Sequence, residues 1–154
     1  MRTTWIWGIL LALGLCVGRA DARTVTGYSH GVPKKIKLVE VAGVELEAAT
    51  AKAFRAMAKA ARKAGIDIGI RSGFRSQEKQ KHLYHEYVKG WGNLAARPGY
   101  SNHQNGKALD IYITDYKVYE WLKKNGAKFG FKRTVRREAW HWEYVGGGTR
   151  QARR

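Results

Sequence analysis

Cysteine is all but missing from this chain, with one residue in 154, Cys16. It sits inside an apolar run, residues 5–17, that follows Arg2 and precedes the small-residue arrangement Ala20-Asp21-Ala22. A basic start, an apolar stretch and an A-x-A site together mark an export leader. Residues 1–22 are therefore expected to be a signal peptide, and the mature chain is expected to begin at Arg23. The cysteine leaves with the leader, so no disulfide and no thiolate ligand remains. Any bound metal must then be held by His, Asp or Glu. Long hydrophobic runs are lacking too: residues 5–17 fall short of the ~20 that span a bilayer, and no stable membrane span is expected after cleavage. Leu15 stands before Cys16 where a lipoprotein signal carries a small residue, which argues against lipid attachment.

Acid is the second scarcity. Twelve Asp and Glu face 29 Lys and Arg, a formal charge of +17. A field of that sign favours polyanionic surroundings. Charge alone would support a nucleic-acid binder, but no recognisable nucleic-acid motif is present and none is expected as partner. For an exported chain the carboxylates and phosphates of a cell envelope fit better, with anionic envelope polymers as partners and a secreted or periplasmic location. The crossover pattern of a doubly wound sheet is also missing. What is left after the leader suits one compact domain, residues 23–145.

Within that domain the hydrophobic period changes several times. Residues 35–41 (KIKLVEV) read as a strand after Pro33. Over 46–63, Phe54, Met57, Ala58 and Ala61 recur at helical spacing, with Lys52, Arg55, Lys59 and Arg62 on the other face and Gly65 as the stop. Ile66, Ile68 and Ile70 alternate as a short strand ending at Arg71. Ser76 caps a helix running to about residue 89, with Leu83, Tyr84, Tyr87 and Val88 expected inward. Leu109, Ile111 and Ile113 alternate with Asp110, Tyr112 and Thr114 in a further strand. A third helix is expected over 116–124, ending at Asn125-Gly126. Residues 139–145 (AWHWEYV) read as the last strand, and 146–154 as a disordered basic tail. The fold class this implies is α+β: a single small domain with an antiparallel sheet and helices packed on one side.

Chemistry concentrates in two segments. SNHQNGKALDI places His103 seven residues before Asp110, and EAWHWEY carries His141. Two imidazoles and a carboxylate form a workable three-ligand set for Zn²⁺ with a fourth position open. An unpaired carboxylate in the middle of an Ile-rich strand is costly unless a cation meets it, which singles out Asp110. His82 and His85, three apart on a helix, read as a polar face, and His30 lies outside the motifs.

Three motifs in order carry a resemblance: Ser72-Gly73-Phe74-Arg75-Ser76 with Gln80, then Ser101-x-His103-x-x-Gly106-x-Ala108-x-Asp110, then Glu138-x-Trp140-His141. Over roughly residues 35–145 the chain resembles the zinc D-alanyl-D-alanine carboxypeptidases and dipeptidases, which include the vancomycin-resistance peptidases of the VanY and VanX kind. The resemblance implies one zinc per chain held by His103, Asp110 and His141, with Glu138 as general acid and base and Arg75 stabilising the oxyanion. It also implies that Ser101 and Gln80 seat the substrate, a peptidoglycan stem peptide, attacked by a zinc-activated water. The sequence departs from the family at Phe74, Lys107 and Ala139, none of them a ligand or the base.

An extended strand from Glu138 onward would put Glu138 and His141 on opposite faces. The strand must therefore begin after Glu138, and Glu143, which shares a face with His141, is the rival base. Arg71, Lys107 and Arg97 are candidate cations for a substrate carboxylate. An endopeptidase of the same fold, and a non-catalytic cationic wall-binding protein, are the competing functions.

Overall fold

The computed structural model describes residues 22–147, so residues 1–21 of the expected leader and the tail beyond Gly147 lie outside it. It opens with an antiparallel sheet of β1 (Arg23–Ser29), β2 (Val32–Val41) and β3 (Val44–Glu47), in that order. The two hairpins turn on His30-Gly31, with φ of 51° and 80°, and on Ala42-Gly43, with φ of 51° and 79°. Two consecutive left-handed residues make a type I′ turn, whose twist matches that of the strands it joins.

The last two residues of β3, Leu46 and Glu47, are those expected to begin the first helix. Glu47, not a usual capping residue, receives the amides of Ala49 and Thr50 at 3.1 Å each and starts α1 (Ala48–Lys63). Phe54, Met57, Ala58 and Ala61 are buried on one face of α1, as their spacing requires, and the four basic residues lie exposed on the other.

The second sheet, also antiparallel, runs in the order β4 (Ile70–Ser72), β5 (Ala108–Ile111), β7 (His141–Tyr144) and β6 (Phe131–Lys132). Ile66 and Ile68 precede β4 without pairing, and Ile68 still enters the core with Leu46, Phe54, Met57, Leu109, Ile111, Leu122, Phe131 and Trp142. β7 starts at His141 because a turn precedes it: the Glu138 amide donates to Val135 O and the His141 amide to Glu138 O, each at 3.2 Å.

α2 (Gln77–Val88) is capped by Ser76, whose hydroxyl accepts from the Lys79 amide at 3.2 Å. Its apolar face departs from expectation. Gln80 is its one buried residue, Leu83 and Tyr84 are half-buried, and Tyr87 and Val88 are 40% and 62% exposed. The helix is polar on most sides and lies on the surface, so its few apolar residues have no core to enter. α3 (Tyr116–Asn125), capped by Asp115, buries Val118 and Leu122 and continues into a 3-10 turn, Gly126–Phe129.

Candidate metal centre and active site

The second sheet positions the site. In the β5–β7 ladder Asp110 pairs with His141, and in the β4–β5 ladder Ser72 pairs with Asp110. His103 comes from the loop that leads into β5. Ser101 shapes that loop, its hydroxyl accepting from the His103 amide at 3.3 Å and its carbonyl from the Gln104 amide at 2.9 Å. Gly106 closes it. Its φ is +72°, its carbonyl accepts from the Glu47 amide at 3.0 Å, and a Cβ there would stand 2.7 Å from the Glu47 nitrogen. Only glycine meets both conditions.

His103, Asp110 and His141 are all buried, and one potential ligand atom from each lies within 4.8 Å of the other two. Asp110 Oδ1 is 3.5 Å from His103 Nε2 and 3.2 Å from His141 Nδ1. The remaining ring nitrogens are occupied. His103 Nδ1 lies 2.8 Å from Gly73 O, and His141 Nε2 lies 3.0 Å from Glu143 Oε1. A proton held on each outer nitrogen leaves the inner one with its lone pair, which is how histidines are prepared for a metal. Two imidazole nitrogens and a carboxylate oxygen aimed at one point are a donor set of the zinc type.

Without a metal, the three groups are tied to one another by charge, and His141 holds a proton that a metal would displace. Burial pushes the Asp110 carboxyl up, but its hydrogen bonds to His103 and His141 and their charge outweigh burial and hold it well below the usual carboxylate range. Burial pulls His141 down, yet Asp110 and Glu143 raise it to about 9.

Around this centre stand the residues expected to act on substrate. Glu138 Oε2 is 4.0 Å from His141 Nδ1, the inner nitrogen, whereas Glu143 occupies the outer one. The two rival carboxylates therefore lie on opposite edges of one imidazole. Arg75 is half-buried, with its amide donating to His103 O at 3.1 Å. Burial lowers its pKa, against the raising effect of the Asp110 and Glu138 charges. Arg71 sits at the rim, 3.9 Å from Asp110 Oδ2 and 5.5 Å from the Trp140 ring centre.

Gln80, expected to seat substrate, is fully buried. Its amide oxygen accepts from Arg75 Nη1 at 2.9 Å and its amide nitrogen donates to Ala96 O at 2.7 Å. Both ends are used inside the protein, so it braces Arg75. His82 pairs with Glu86 at 3.4 Å and His85 meets Trp91 edge-on, so the two do not converge on a common point. Of the other candidate cations, Arg97 lies over Tyr100, and Lys107 lines a shallow basic cleft with Lys34, Lys35 and Lys37. Sequence reasoning missed Asn102, whose amide donates to Glu143 Oε2 at 3.0 Å; its place beside His103 was the available signal.

A family model for VanY, D-alanyl-D-alanine carboxypeptidase, matches residues 43–147. The chain is 35% identical over 116 residues to a D-alanyl-D-alanine carboxypeptidase of Enterococcus faecalis, covering 56% of this chain and 43% of that protein. Among solved structures it is similar to VanYB in complex with D-alanine-D-alanine, at 27% identity and a TM-score of 0.65, covering 77% of this chain and 84% of the other. It is similar as well to the vancomycin-resistance D,D-pentapeptidase VanY of a VanB-type cassette in complex with Zn(II), at 28% identity and a TM-score of 0.61, covering 72% and 79%. The chain spans less than half the length of the curated relatives it matches. The matched segment runs from β3 to β7 and holds every residue of the site, and on that ground the chain belongs to the VanY family of D-alanyl-D-alanine carboxypeptidases.

Proposed function

We propose that this protein is a secreted zinc carboxypeptidase that removes the terminal D-alanine from peptidoglycan stem peptides. The observation that carries the reading is the convergence of His103 Nε2, His141 Nδ1 and the Asp110 carboxylate, with both outer ring nitrogens already bonded. Those three residues would hold the metal. Zinc bound there would supply a Lewis acid and make water nucleophilic near neutral pH.

The protein's own groups do the rest. Water attacks the carbonyl carbon of the terminal peptide bond while the Glu138 carboxylate accepts its proton. Arg75, aimed by Gln80, offsets the negative charge that develops on the carbonyl oxygen, a task suited to its rigid fork of donors. The C–N bond then breaks as Glu138 returns the proton to the leaving amine of D-alanine. Arg71, at the rim, would bind the substrate's polar groups together with Ser101 of the loop that carries His103. Export is supported by the basic, apolar and A-x-A order of residues 1–22, and the positive surface suits an anionic envelope.

Mass spectrometry of stem pentapeptides incubated with the protein is the test. Release of one alanine, abolished by a chelator and restored by zinc, is expected. Intact peptide, or cleavage inside the stem, would overturn the carboxypeptidase reading.

A further inference from the structure

The inference concerns Glu143 and rests on the zinc reading above. His141 presents Nδ1 to the centre, but an imidazole without an outer partner is free to turn over about its second side-chain torsion, which is broad. Rotation would put a carbon where Nδ1 now stands. Asp110 Oδ1 draws Nδ1 inward from one edge, and a fixed acceptor at Nε2 holds the other edge and the position of its proton.

Glu143 is that acceptor. It lies two residues beyond His141 on β7, so both side chains leave the strand on one face. Across the ladder His141 is opposite Asp110, while Glu143 is opposite Ala108. Ala108 is fully buried and ends at a methyl, which leaves room on that face for a carboxylate. Glu143 Oε1 lies 3.0 Å from His141 Nε2, and Oε2 accepts from Asn102 Nδ2 at 3.0 Å. Asn102 immediately precedes His103, and its own Oδ1 accepts from Asn105 Nδ2 at 2.8 Å. One carboxylate thus ties the strand carrying His141 to the loop carrying His103.

We propose that Glu143 is a positioning residue which fixes His141 with Nδ1 toward the metal and holds the two histidine-bearing segments in register. It touches neither substrate nor reacting atoms, being on the imidazole edge away from Asp110 and Glu138.

The test reads metal affinity. Zinc dissociation constants are measured by chelator competition for the full protein, Glu143→Leu and Glu143→Gln. Leucine keeps volume but accepts no hydrogen bond, and should weaken zinc about 10–100-fold. Glutamine still offers an amide oxygen to Nε2–H and should recover most of that loss. Folded Glu143→Leu protein with wild-type zinc affinity would overturn the assignment, as would equal losses in both variants. Should Glu143→Leu not fold, the zinc-loaded wild type decides alone: long-range ¹H–¹⁵N spectra should show the His141 proton on Nε2, and a proton on Nδ1 overturns it. Wild-type protein that binds no zinc would instead sink the zinc reading itself.

Discussion

Asp110 and His141 are cross-strand partners in the β5–β7 ladder, and Asp110 Oδ1 stands 3.2 Å from His141 Nδ1. Without a metal, that contact and the one to Glu143 raise His141 to about 9, above its ordinary value of 6.5. A raised value means that the pair stabilises the metal-free fold fully below 6.5 and loses that contribution as pH rises through about 9. Metal binding runs the other way, since the nitrogen must shed its proton first. Zinc affinity should therefore rise by about tenfold per pH unit from neutrality until it levels near the His141 value, with about one proton released per zinc. Calorimetry in two buffers of different ionisation enthalpy measures that release. Affinity independent of pH across this interval would contradict the prediction.

Stoichiometry is a second expectation. Elemental analysis should find one zinc per chain, because the described residues contain one group of His, Asp or Glu able to hold a metal. His141→Ala should lose zinc affinity by more than the ~10–100-fold that an outer residue is worth, since a ligand itself is gone. Retention of a full equivalent at wild-type affinity would place the metal elsewhere.

The same ladder explains what the sequence could reveal. His103, Asp110 and His141 were legible because each stands in a short motif, and α1 because four apolar residues keep a helical period over two turns. β1 was not legible: its only buried residue is Gly27, and a strand held by pairing with β2 leaves little hydrophobic pattern. β3 was absorbed into α1 because Leu46 fits both periods and Glu47 is an unusual cap. Period two along the last strand puts Glu143 beside His141, but its bond to Asn102 depends on which residues face one another across sheet and loop, which spacing along the chain does not encode. α2 misled for the opposite reason, since its tyrosines and Val88 suggest a buried stripe on a helix that has only Gln80 to bury.

Ala42 adopts φ 51° before Gly43 in a type I′ turn, where asparagine is preferred. Ala42→Asn should raise unfolding free energy by about 0.5–1 kcal/mol by easing left-handed strain. The urea midpoint should move up with an unchanged slope, and a lower midpoint would argue against strain at Ala42.

Glycine-to-alanine changes at Gly43 and Gly106 separate strain from collision. Both have φ above +70°, but a Cβ at Gly43 meets nothing within 4 Å, whereas at Gly106 it stands 2.7 Å from the Glu47 nitrogen. Gly43→Ala should cost about 1–2 kcal/mol from backbone strain alone. Gly106→Ala should cost more and also weaken zinc binding, because it displaces the loop that presents His103. Equal costs in thermal unfolding would mean that the Gly106 loop moves aside without penalty.

The last prediction divides holding the metal from using it. Glu138 Oε2 is 4.0 Å from the inner nitrogen of His141, outside the trio of ligand atoms, and its backbone sits in the turn before β7. We propose its carboxylate for proton transfer, and Glu138→Gln keeps the side-chain volume and a carbonyl oxygen while removing the basic site. Zinc content should stay at wild-type level. Turnover should fall by at least the ~10²- to 10⁴-fold typical of losing a general acid-base group, and further if both proton transfers depend on it. Substrate binding should change far less than the rate, because the lost interaction matters chiefly in the transition state. Glu143→Gln should behave differently, with the smaller rate loss tracking its zinc occupancy and recovering when zinc is supplied in excess. If the two variants exchange behaviour, Glu143 is the base. If Glu138→Gln loses its zinc, the carboxylate is a ligand, and the separation between the metal-holding trio and the proton-transferring glutamate fails.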